Sequence, residues 1–517
     1  MTSTATTGGN RCPAFAFSGP AAFPSPPLPR TILSRMIRTK ILATLGPASS
    51  ATEMLVRLLE AGADAFRLNF SHGTLDEHAA TLRNIRAASA KFGRPVGVLG
   101  DLCGPKIRVG KVRDVGGTGG MPVEVGDDLV LQRATIEGGD GRISCTWPAI
   151  IDDIKTGDRL LIEDGLLRFV CTETARDEIR LRCTAGGVIK TAKGINLPNT
   201  ALRVEAITDR DWECVAWSIA NDLDYLALSF VRRADDLQLL RQHLRHSGSD
   251  AQIIAKIEKP EAVQQIDGII DAADGLMVAR GDLGVEMDVA QVPLIQKELI
   301  RRCNAASKPV IVATQMLQSM IEASTPTRAE VSDVANAIFD GTDAVMLSGE
   351  TSVGRHPVAA VHVMSHIAST TEAYLDKHPD ATRPAATPHR AQTMQFSAGV
   401  ARGVRQMVDE LGLKLIVVYS QTGSTARIFS KFRFPVPIVA LSSDATIQRR
   451  MSLHYGVLPS AMGVPDSMSA LVENAEKLLL GGNLAQRGDR VAIVAGSSLG
   501  APGTLNGVAL HTVGDTV

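Results

Sequence analysis

Three charged side chains in two successive segments could together bind a divalent metal ion and a phosphoryl group. The segment AKIEKP places Lys256 and Glu258 two residues apart, and VARGDLGVE supplies Asp282. On a strand, Lys256 and Glu258 would point to the same face. Carboxylate oxygens suit Mg²⁺ or Mn²⁺, which keep several waters and take further ligands from substrate. An ammonium beside that metal could hold a phosphoryl group in transfer. A buried Lys256–Glu258 ion pair is the competing interpretation, and Asp282 favours the metal site.

Further candidates lie at the ends of other apolar runs. They are Arg67, Asn69, Ser71, His72, Asp101, Ser229, Phe230, Arg232, Arg280, Gly281, Thr314, Ser348 and Glu350. The turn GDLG at 281–284 also begins a helical segment, whose backbone N–H groups could bind a carboxylate or phosphate. Taken singly these residues are ambiguous, because threonine is common at strand ends and a lone histidine on a turn is usually a surface residue. Their shared position indicates one site.

Eight apolar runs of strand length must position these residues. They cover 39–46, 65–72, 95–102, 225–230, 252–258, 275–280, 309–314 and 344–349, and amphipathic segments of helical spacing separate most of them. Near-continuous apolar strands separated by helices predict a parallel sheet that is covered on both faces. Eight such units fit a closed (β/α)₈ barrel of the α/β class, whose active-site residues lie at the carboxyl ends of its strands.

The pattern divides the chain into four parts. Residues 1–35 are rich in Ala, Ser, Thr, Pro and Gly without an acid, and we expect a disordered tail there, with a targeting peptide or a true start at Met36 as the alternatives. The barrel is predicted over 36–102 and 201–372. Residues 103–200 lack clear helices and carry many turn pairs, which indicates an inserted all-β lid domain. After a linker, strands alternate with helices again over 385–517, which predicts a C-terminal α/β domain.

Composition excludes several classes of protein. Lys and Arg number 54 against 55 Asp and Glu, so no basic surface predicts a nucleic-acid partner. No apolar run is long enough to span a bilayer, and we expect no membrane partner. The seven cysteines are scattered without a CxxC pair and read as reduced thiols of a cytoplasmic protein, namely Cys12, Cys103, Cys145, Cys171, Cys183, Cys214 and Cys303.

Six motifs together resemble the pyruvate kinase family. They are LATLGPAS, RLNFSHGT, AKIEKPEA, VARGDLGVE, ATQMLQSM and PTRAEVSDVANAIFDGTDAVMLSGET. The resemblance runs from about residue 37 to the C-terminus. It implies a barrel that carries a β-domain lid and a C-terminal α/β domain, in a cytoplasmic homotetramer. It also implies transfer of the phosphoryl group of phosphoenolpyruvate to ADP, which yields ATP and pyruvate in the last step of glycolysis.

The resemblance further implies a role for each matching residue. Glu258 and Asp282 would hold Mg²⁺ or Mn²⁺, Lys256 would stabilise the phosphoryl group in flight, and Thr314 would help to protonate the enolate through water. Contacts to phosphoenolpyruvate are implied for Arg67, Lys256, Gly281, Asp282 and Thr314, of which Arg67, Lys256 and Thr314 are also catalytic candidates. Contacts to the nucleotide or to phosphoryl oxygens are implied for Asn69, His72, Arg108 and Lys193.

The stretch GDLCGPKIRVG at 100–110 departs from many members of this family. In those members K⁺ is held by residues like Asn69, Ser71, Asp101 and the carbonyl of the next residue, here Leu102. They carry Thr and Glu where this chain has Leu102 and Lys106, and this pair resembles the K⁺-independent branch. Our hypothesis is that the Lys106 ammonium acts as a built-in monovalent cation, so that K⁺ is not required.

The segment SQTGSTAR at 420–427 follows a predicted strand of the third domain. Its hydroxyl residues Ser420, Thr422, Ser424 and Thr425 could form a nest for an anion, or an ordinary N-capped turn. By resemblance this is the loop that takes a phosphate of a sugar-phosphate effector. The loop at 496–506 lacks the Trp and Arg that grip fructose 1,6-bisphosphate in some members, so a different sugar phosphate or a nucleotide is equally compatible.

Two other classes of function are compatible with part of the pattern. A Mg²⁺-dependent barrel lyase or aldolase acting on a keto acid would share Glu258, Asp282 and the GDLG turn, but it would not need a lid or Lys256 beside the metal. A non-catalytic sensor would need only the effector domain, and the intact group of charged residues speaks against it.

Overall fold

The computed structural model describes residues 37–198, 200, 202–378, 392–496, 499 and 505–515, with side chains from residue 395 in the helix that begins at 392. The predicted tail over 1–35, Cys12 and most of the loop at 496–506 lie outside the described residues. No helix in the described part of the chain is long and apolar enough to cross a membrane.

The described part of the chain begins with two strand–helix units and a third strand. These elements are β1 (Lys40–Thr44), α1 (Thr52–Ala61), β2 (Ala65–Asn69), α2 (Leu75–Phe92) and β3 (Gly97–Asp101). Helix α2 begins at a capping box, in which the Thr74 side chain and the Glu77 side chain each accept the backbone N–H of the other residue. It ends at Gly93, whose φ of 72° is the left-handed conformation that glycine adopts readily.

A β-rich insertion follows β3. Its elements are β4 (Met121–Val123), β5 (Asp128–Gln132), β6 (Arg142–Ile143), α3 (Ile150–Asp153), β7 (Arg159–Ile162), β8 (Leu167–Thr174), β9 (Glu178–Ala185), β10 (Gly187–Ile189) and β11 (Ile195–Asn196). Six strands form one sheet in the order β11-β7-β8-β9-β5-β6, and β10 pairs with β4. Strand β9 alternates buried and exposed residues, which is typical of a sheet with one solvated face. The single turn α3 was not predicted, because four residues are too few to show helical spacing.

The chain then returns to alternating helices and strands. These are α4 (Asp209–Ala220), β12 (Tyr225–Leu228), α5 (Ala234–His246), β13 (Gln252–Ile257), α6 (Pro260–Gln264), α7 (Ile266–Ala272), β14 (Gly275–Ala279), α8 (Arg280–Glu286), α9 (Val292–Ala305), β15 (Val310–Ala313), α10 (Arg328–Phe339), β16 (Ala344–Leu347), α11 (Gly349–Ser352) and α12 (Pro357–Lys377). Eight parallel strands close into a barrel in the order β1-β16-β15-β14-β13-β12-β3-β2. The predicted closed barrel is confirmed.

A second α/β unit follows. It consists of α13 (Gln392–Leu411), β17 (Leu415–Tyr419), α14 (Ser424–Ser430), β18 (Ile438–Ser442), α15 (Ala445–Met451), β19 (Val457–Ala461), α16 (Met468–Gly481), β20 (Arg490–Ala495) and β21 (Gly507–Thr512). The sheet order is β19-β18-β17-β20-β21, with β21 antiparallel at one edge. Three of these five strands were predicted from the sequence. The other two, β19, which contains a proline, and β21, are edge strands, where such sequences are tolerated.

The C-terminal unit closes the end of the barrel at which its strands begin. Leu453 packs inside this end against a cluster that includes Tyr225 and Leu42. The Tyr225 hydroxyl donates a hydrogen bond to the carbonyl of Arg450. The six described cysteines are all free thiols, as predicted.

Candidate active site

Barrel strands β2, β3 and β13 bring four of the predicted charged residues together at their carboxyl ends. The Lys256 Nζ atom lies 3.2 Å from Asp101 Oδ1 and 2.9 Å from Glu258 Oε1. Arg67 Nε lies 2.6 Å from the second carboxylate oxygen of Asp101. All four charged side chains are almost fully buried. Each charge is therefore stabilised by the opposite charges beside it rather than by water.

The Lys256 ammonium remains protonated in this setting. Burial lowers its pKa, but the carboxylates of Asp101 and Glu258 more than offset this and raise the pKa above its ordinary value. Asp101 likewise stays ionised, because Arg67 and Lys256 outweigh the effect of burial and lower its pKa. A fixed positive charge therefore lies at the mouth of the barrel.

The Glu258 carboxylate behaves differently. Burial raises its pKa, Lys256 opposes this, and the nearby Asp282 carboxylate raises the pKa further, so that the net direction is upward. Two carboxylates that disfavour each other's charge are stabilised by a cation between them. The backbone N–H of Phe230 donates to Glu258 Oε2 at 2.8 Å and fixes this side chain. This pair of carboxylates offers only oxygen donors, so Glu258 and Asp282 could hold Mg²⁺ or Mn²⁺.

Ser229 connects the buried charges. Its hydroxyl accepts a hydrogen bond from Lys256 Nζ at 2.6 Å and donates one to the carbonyl of Leu102 at 2.7 Å. Sequence analysis placed Ser229 at a strand end without giving it a role. Strand β12, which Ser229 directly follows, lies between β3 and β13 in the barrel.

Thr314 lies against the start of α8. Its Oγ1 accepts the backbone N–H of Gly281 at 2.7 Å and donates to the carbonyl of Ala313 at 2.6 Å. Its φ of 68° is in the left-handed region, which is unfavourable for a β-branched residue and common at functional sites. The hydroxyl is thus held beside the helix that carries Asp282.

The residues of the predicted monovalent-cation site lie on neighbouring strands. Asn69 on β2 pairs with Asp101 on β3, and Asn69 Oδ1 accepts the backbone N–H of Ser71 at 3.2 Å. The Leu102 side chain is buried, and its carbonyl already accepts the bond from Ser229. His72 is exposed on the following turn.

A cavity of about 320 Å³ separates the insertion from the barrel, and Lys106, Arg108, Lys193 and Asp282 all line it. Arg108 Nη1 donates to the carbonyl of Ala192 at 2.9 Å, and Lys193 Nζ lies 2.6 Å from Glu163 Oε1. Lys106 is exposed, and the described residues offer its ammonium no hydrogen bond or ion pair. A tight turn at Gly104, with φ of 66°, directs the chain from β3 toward this cavity.

Sequence analysis missed several residues that hold the site. Thr44 Oγ1 accepts a hydrogen bond from Arg67 at 3.1 Å. Glu286 accepts hydrogen bonds from Lys259 and Asn196. The one sequence feature that could have indicated a role near the site is its spacing of four residues from Asp282 on the same helix. Conversely, Glu350 was grouped with the rim residues, yet its buried carboxylate accepts the backbone N–H groups of Leu317 and Ser348 and has a structural role.

The predicted effector residues share one turn at the start of α14. The hydroxyl groups of Thr422 and Ser424 lie 2.8 Å apart, Ser420 is buried and Thr425 is half-buried. Gly423, at the head of the helix, has a φ of 76°.

Comparisons with known proteins agree with this geometry. A family model described as the pyruvate kinase barrel domain matches residues 36–361, and one described as the pyruvate kinase alpha/beta domain matches residues 398–511. The chain is 41% identical over 485 residues to a pyruvate kinase of Bacillus licheniformis, covering 93% of this chain and 81% of the relative. A pyruvate kinase of Geobacillus stearothermophilus is also 41% identical, with 92% and 81% covered.

A relative of nearly equal extent is the pyruvate kinase of Mycobacterium intracellulare. It is 39% identical over 478 residues, which cover 92% of this chain and 99% of the relative. Both domains of the family are therefore represented in order, and the barrel match alone covers more than half of the chain. The chain belongs to the pyruvate kinase family and is a phosphotransferase.

Proposed function

We propose that this chain transfers the phosphoryl group of phosphoenolpyruvate to ADP, which yields ATP and pyruvate. The observation that carries the proposal is the buried ammonium of Lys256, 2.9 Å from Glu258, with Asp282 close by. The P–O bond of the enol phosphate breaks, a bond forms from phosphorus to a β-phosphate oxygen of ADP, and the enolate takes up a proton. The first two changes place negative charge on the enolate and phosphoryl oxygens, where this site carries positive charge, and the proton then neutralises the enolate.

The chain's own residues divide the work. Lys256 and Arg67 stabilise the charge on the transferring oxygens, and both are held rigidly by Asp101. Glu258 and Asp282 would hold Mg²⁺ or Mn²⁺, which supplies neutralisation of the carboxylate and phosphate of the substrate. The Gly281 backbone N–H, which donates to Thr314 Oγ1 in this structure, would exchange that partner for the substrate carboxylate on binding.

Other residues protonate the enolate and bind the nucleotide. Thr314, through water, delivers the proton to the enolate carbon. Arg108 and Lys193 on the insertion, with Asn69 and His72 on the barrel, contact the nucleotide and its phosphates. Closure of the insertion over these groups would exclude water, so that ADP rather than water accepts the phosphoryl group.

We further propose that the reaction proceeds without K⁺. Lys106 lines the same cavity as Asp282, and its long flexible stem allows the ammonium to approach the bound phosphates. Turnover in choline chloride should equal turnover in KCl at the same ionic strength. Large activation by K⁺ would reject this role of Lys106.

The phosphotransfer itself is tested by the release of pyruvate with Mg²⁺ and phosphoenolpyruvate, with and without ADP. We expect release only with ADP, together with equimolar ATP, and loss of both in Lys256→Met. Release of pyruvate from a keto-acid substrate without ADP would instead support a lyase or aldolase, and absence of turnover would support a sensor.

Regulation, assembly and location complete the proposal. The hydroxyl groups at 420–425 would bind the phosphate of a sugar-phosphate or nucleotide effector, and the chain would act as a cytoplasmic homotetramer. Titration with fructose 1,6-bisphosphate and with AMP, compared in wild type and Ser424→Ala, tests the effector site. Light scattering at several protein concentrations tests the tetramer.

A further inference from the structure

Glu286 is a buried carboxylate that the phosphoryl transfer does not use. It is the last residue of α8, and its side chain is 1% exposed. One of its oxygens, Oε2, has no hydrogen-bond partner among the described residues. A buried charge of this kind is costly unless it is paired, so its partners indicate what it does.

Both partners bind the other oxygen, and they come from different parts of the chain. Lys259 Nζ, at the end of the barrel strand β13, lies 2.6 Å from Glu286 Oε1. Asn196 Nδ2, on strand β11 of the insertion, donates to the same oxygen at 2.9 Å. Glu286 therefore joins the barrel, helix α8 and the insertion at one atom.

The position of this contact relates it to the candidate metal ligands. Lys259 directly follows Glu258, and Glu286 lies one helical turn after Asp282 on α8. The Lys259–Glu286 ion pair thus links the residue after Glu258 to the helix that carries Asp282. Asn196 and Lys259 also line the cavity between the insertion and the barrel, together with Asp282.

We propose that Glu286 is a positioning residue that couples the seating of the insertion to the geometry of the metal site. The inference rests on the proposed function, in which Glu258 and Asp282 hold the metal. When the insertion is seated, the Asn196 amide shares the charge of Glu286 with Lys259 and steadies α8. When the insertion moves away, only the Lys259–Glu286 ion pair holds α8. The distance between the Glu258 and Asp282 carboxylates is then less tightly fixed.

The test measures Mn²⁺ binding by electron paramagnetic resonance on the folded full-length protein without substrates. Glu286→Gln keeps the shape of the side chain and removes its charge. We expect its Mn²⁺ affinity to fall about 10- to 100-fold, as is typical when a group that supports a metal ligand is lost. Asn196→Ala leaves the ion pair intact, and we expect a smaller loss of about three- to tenfold.

Gln132→Ala is the matched control, because Gln132 is an amide of the insertion whose oxygen accepts a hydrogen bond from Arg142, away from the cavity. Its Mn²⁺ affinity should equal that of wild type. Thermal melts confirm that each variant is folded at the temperature of measurement, and Asn196→Ala keeps the test decisive if Glu286→Gln does not fold. Wild-type Mn²⁺ affinity in Asn196→Ala, or in folded Glu286→Gln, would overturn the inference.

This experiment separates the inference from the proposed function. If wild type fails to phosphorylate ADP while the variants lose Mn²⁺ affinity as expected, the phosphotransfer is wrong and the coupling stands. If wild type is active and the variants bind Mn²⁺ normally, the coupling alone is wrong.

Discussion

Lys256 and Asp101 form a buried ion pair, with 3.2 Å between Nζ and Oδ1, across a strand to which neither belongs. Their strands, β13 and β3, are separated in the barrel by β12. Ser229 at the end of β12 fills the gap, because it accepts a hydrogen bond from Lys256. The ammonium is thus held from three consecutive strands, which limits it to one position.

Ser229→Ala should reduce kcat without a comparable change in KM for phosphoenolpyruvate. The substitution removes one hydrogen bond that orients Lys256 but leaves both carboxylates, so we expect a loss of about tenfold, or roughly 1.4 kcal/mol. Steady-state kinetics measure it. Ser218→Ala is the control, since the Ser218 hydroxyl is equally buried and bonds only its own helix. Equal kcat in both variants would show that Ser229 does not orient the ammonium.

Thr314→Ala should lower kcat by about 100-fold, because the hydroxyl that relays the proton is lost. Thr314→Ser keeps the hydroxyl and should retain most of the activity. Exchange of the methyl protons of pyruvate with D₂O, followed by NMR in the presence of Mg²⁺ and ATP, reports the proton step directly. Undiminished exchange in Thr314→Ala would remove Thr314 from this step.

Leu102→Thr combined with Lys106→Glu should make turnover depend on K⁺. The double variant replaces the ammonium by a carboxylate, and an added cation is then needed at the phosphates. We expect about tenfold or greater activation by KCl over choline chloride, an amount set by the reversal of one close charge. A double variant as indifferent to K⁺ as wild type would contradict the prediction.

His454 should make the protein less stable in acid. Burial lowers the pKa of this histidine to about 3, with Arg427, Lys431 and Lys40 acting in the same direction and Asp343 against it. The folded state therefore keeps the ring neutral while the unfolded chain takes up a proton near pH 6.5. Its contribution to stability is complete above about pH 6.5 and is lost as the pH falls toward 3, by up to about 1.4 kcal/mol per pH unit.

Thermal melts of wild type and His454→Asn between pH 7 and pH 4.5 measure this contribution. The variant should melt lower at pH 7, because the packing of the ring is lost, but its melting temperature should decline less steeply with acid. Parallel declines in the two proteins would show that another group dominates the acid sensitivity.

The strands of the barrel could be predicted because each is a short, continuous apolar run that is buried on both sides. The same reasoning missed β19 and β21, because a proline interrupts VLPSA, and because GVALHT lies at the sheet edge with no fully buried residue. Local sequence therefore defines the central strands better than the edges.

Some residues of the candidate site could likewise be predicted from the sequence, and others could not. Lys256 and Glu258 could be paired from their spacing, since alternate residues of a strand share a face. The role of Ser229 could not, because it depends on which strand lies between β3 and β13. Glu286 was equally hidden, because its partners Lys259 and Asn196 are 27 and 90 residues away along the chain.

Leu453 and the carbonyl of Arg450 close the far end of the barrel, where Tyr225 lies. A barrel expressed without the C-terminal unit would expose this end to water. The Tyr225 hydroxyl would lose the carbonyl that accepts its hydrogen bond, and the apolar cluster around it would contact solvent. The two units are therefore not interchangeable parts. A chimera that takes its C-terminal unit from a relative must supply an equivalent apolar side chain and an equivalent carbonyl acceptor. Otherwise the end of the catalytic barrel opposite the active site is left uncovered.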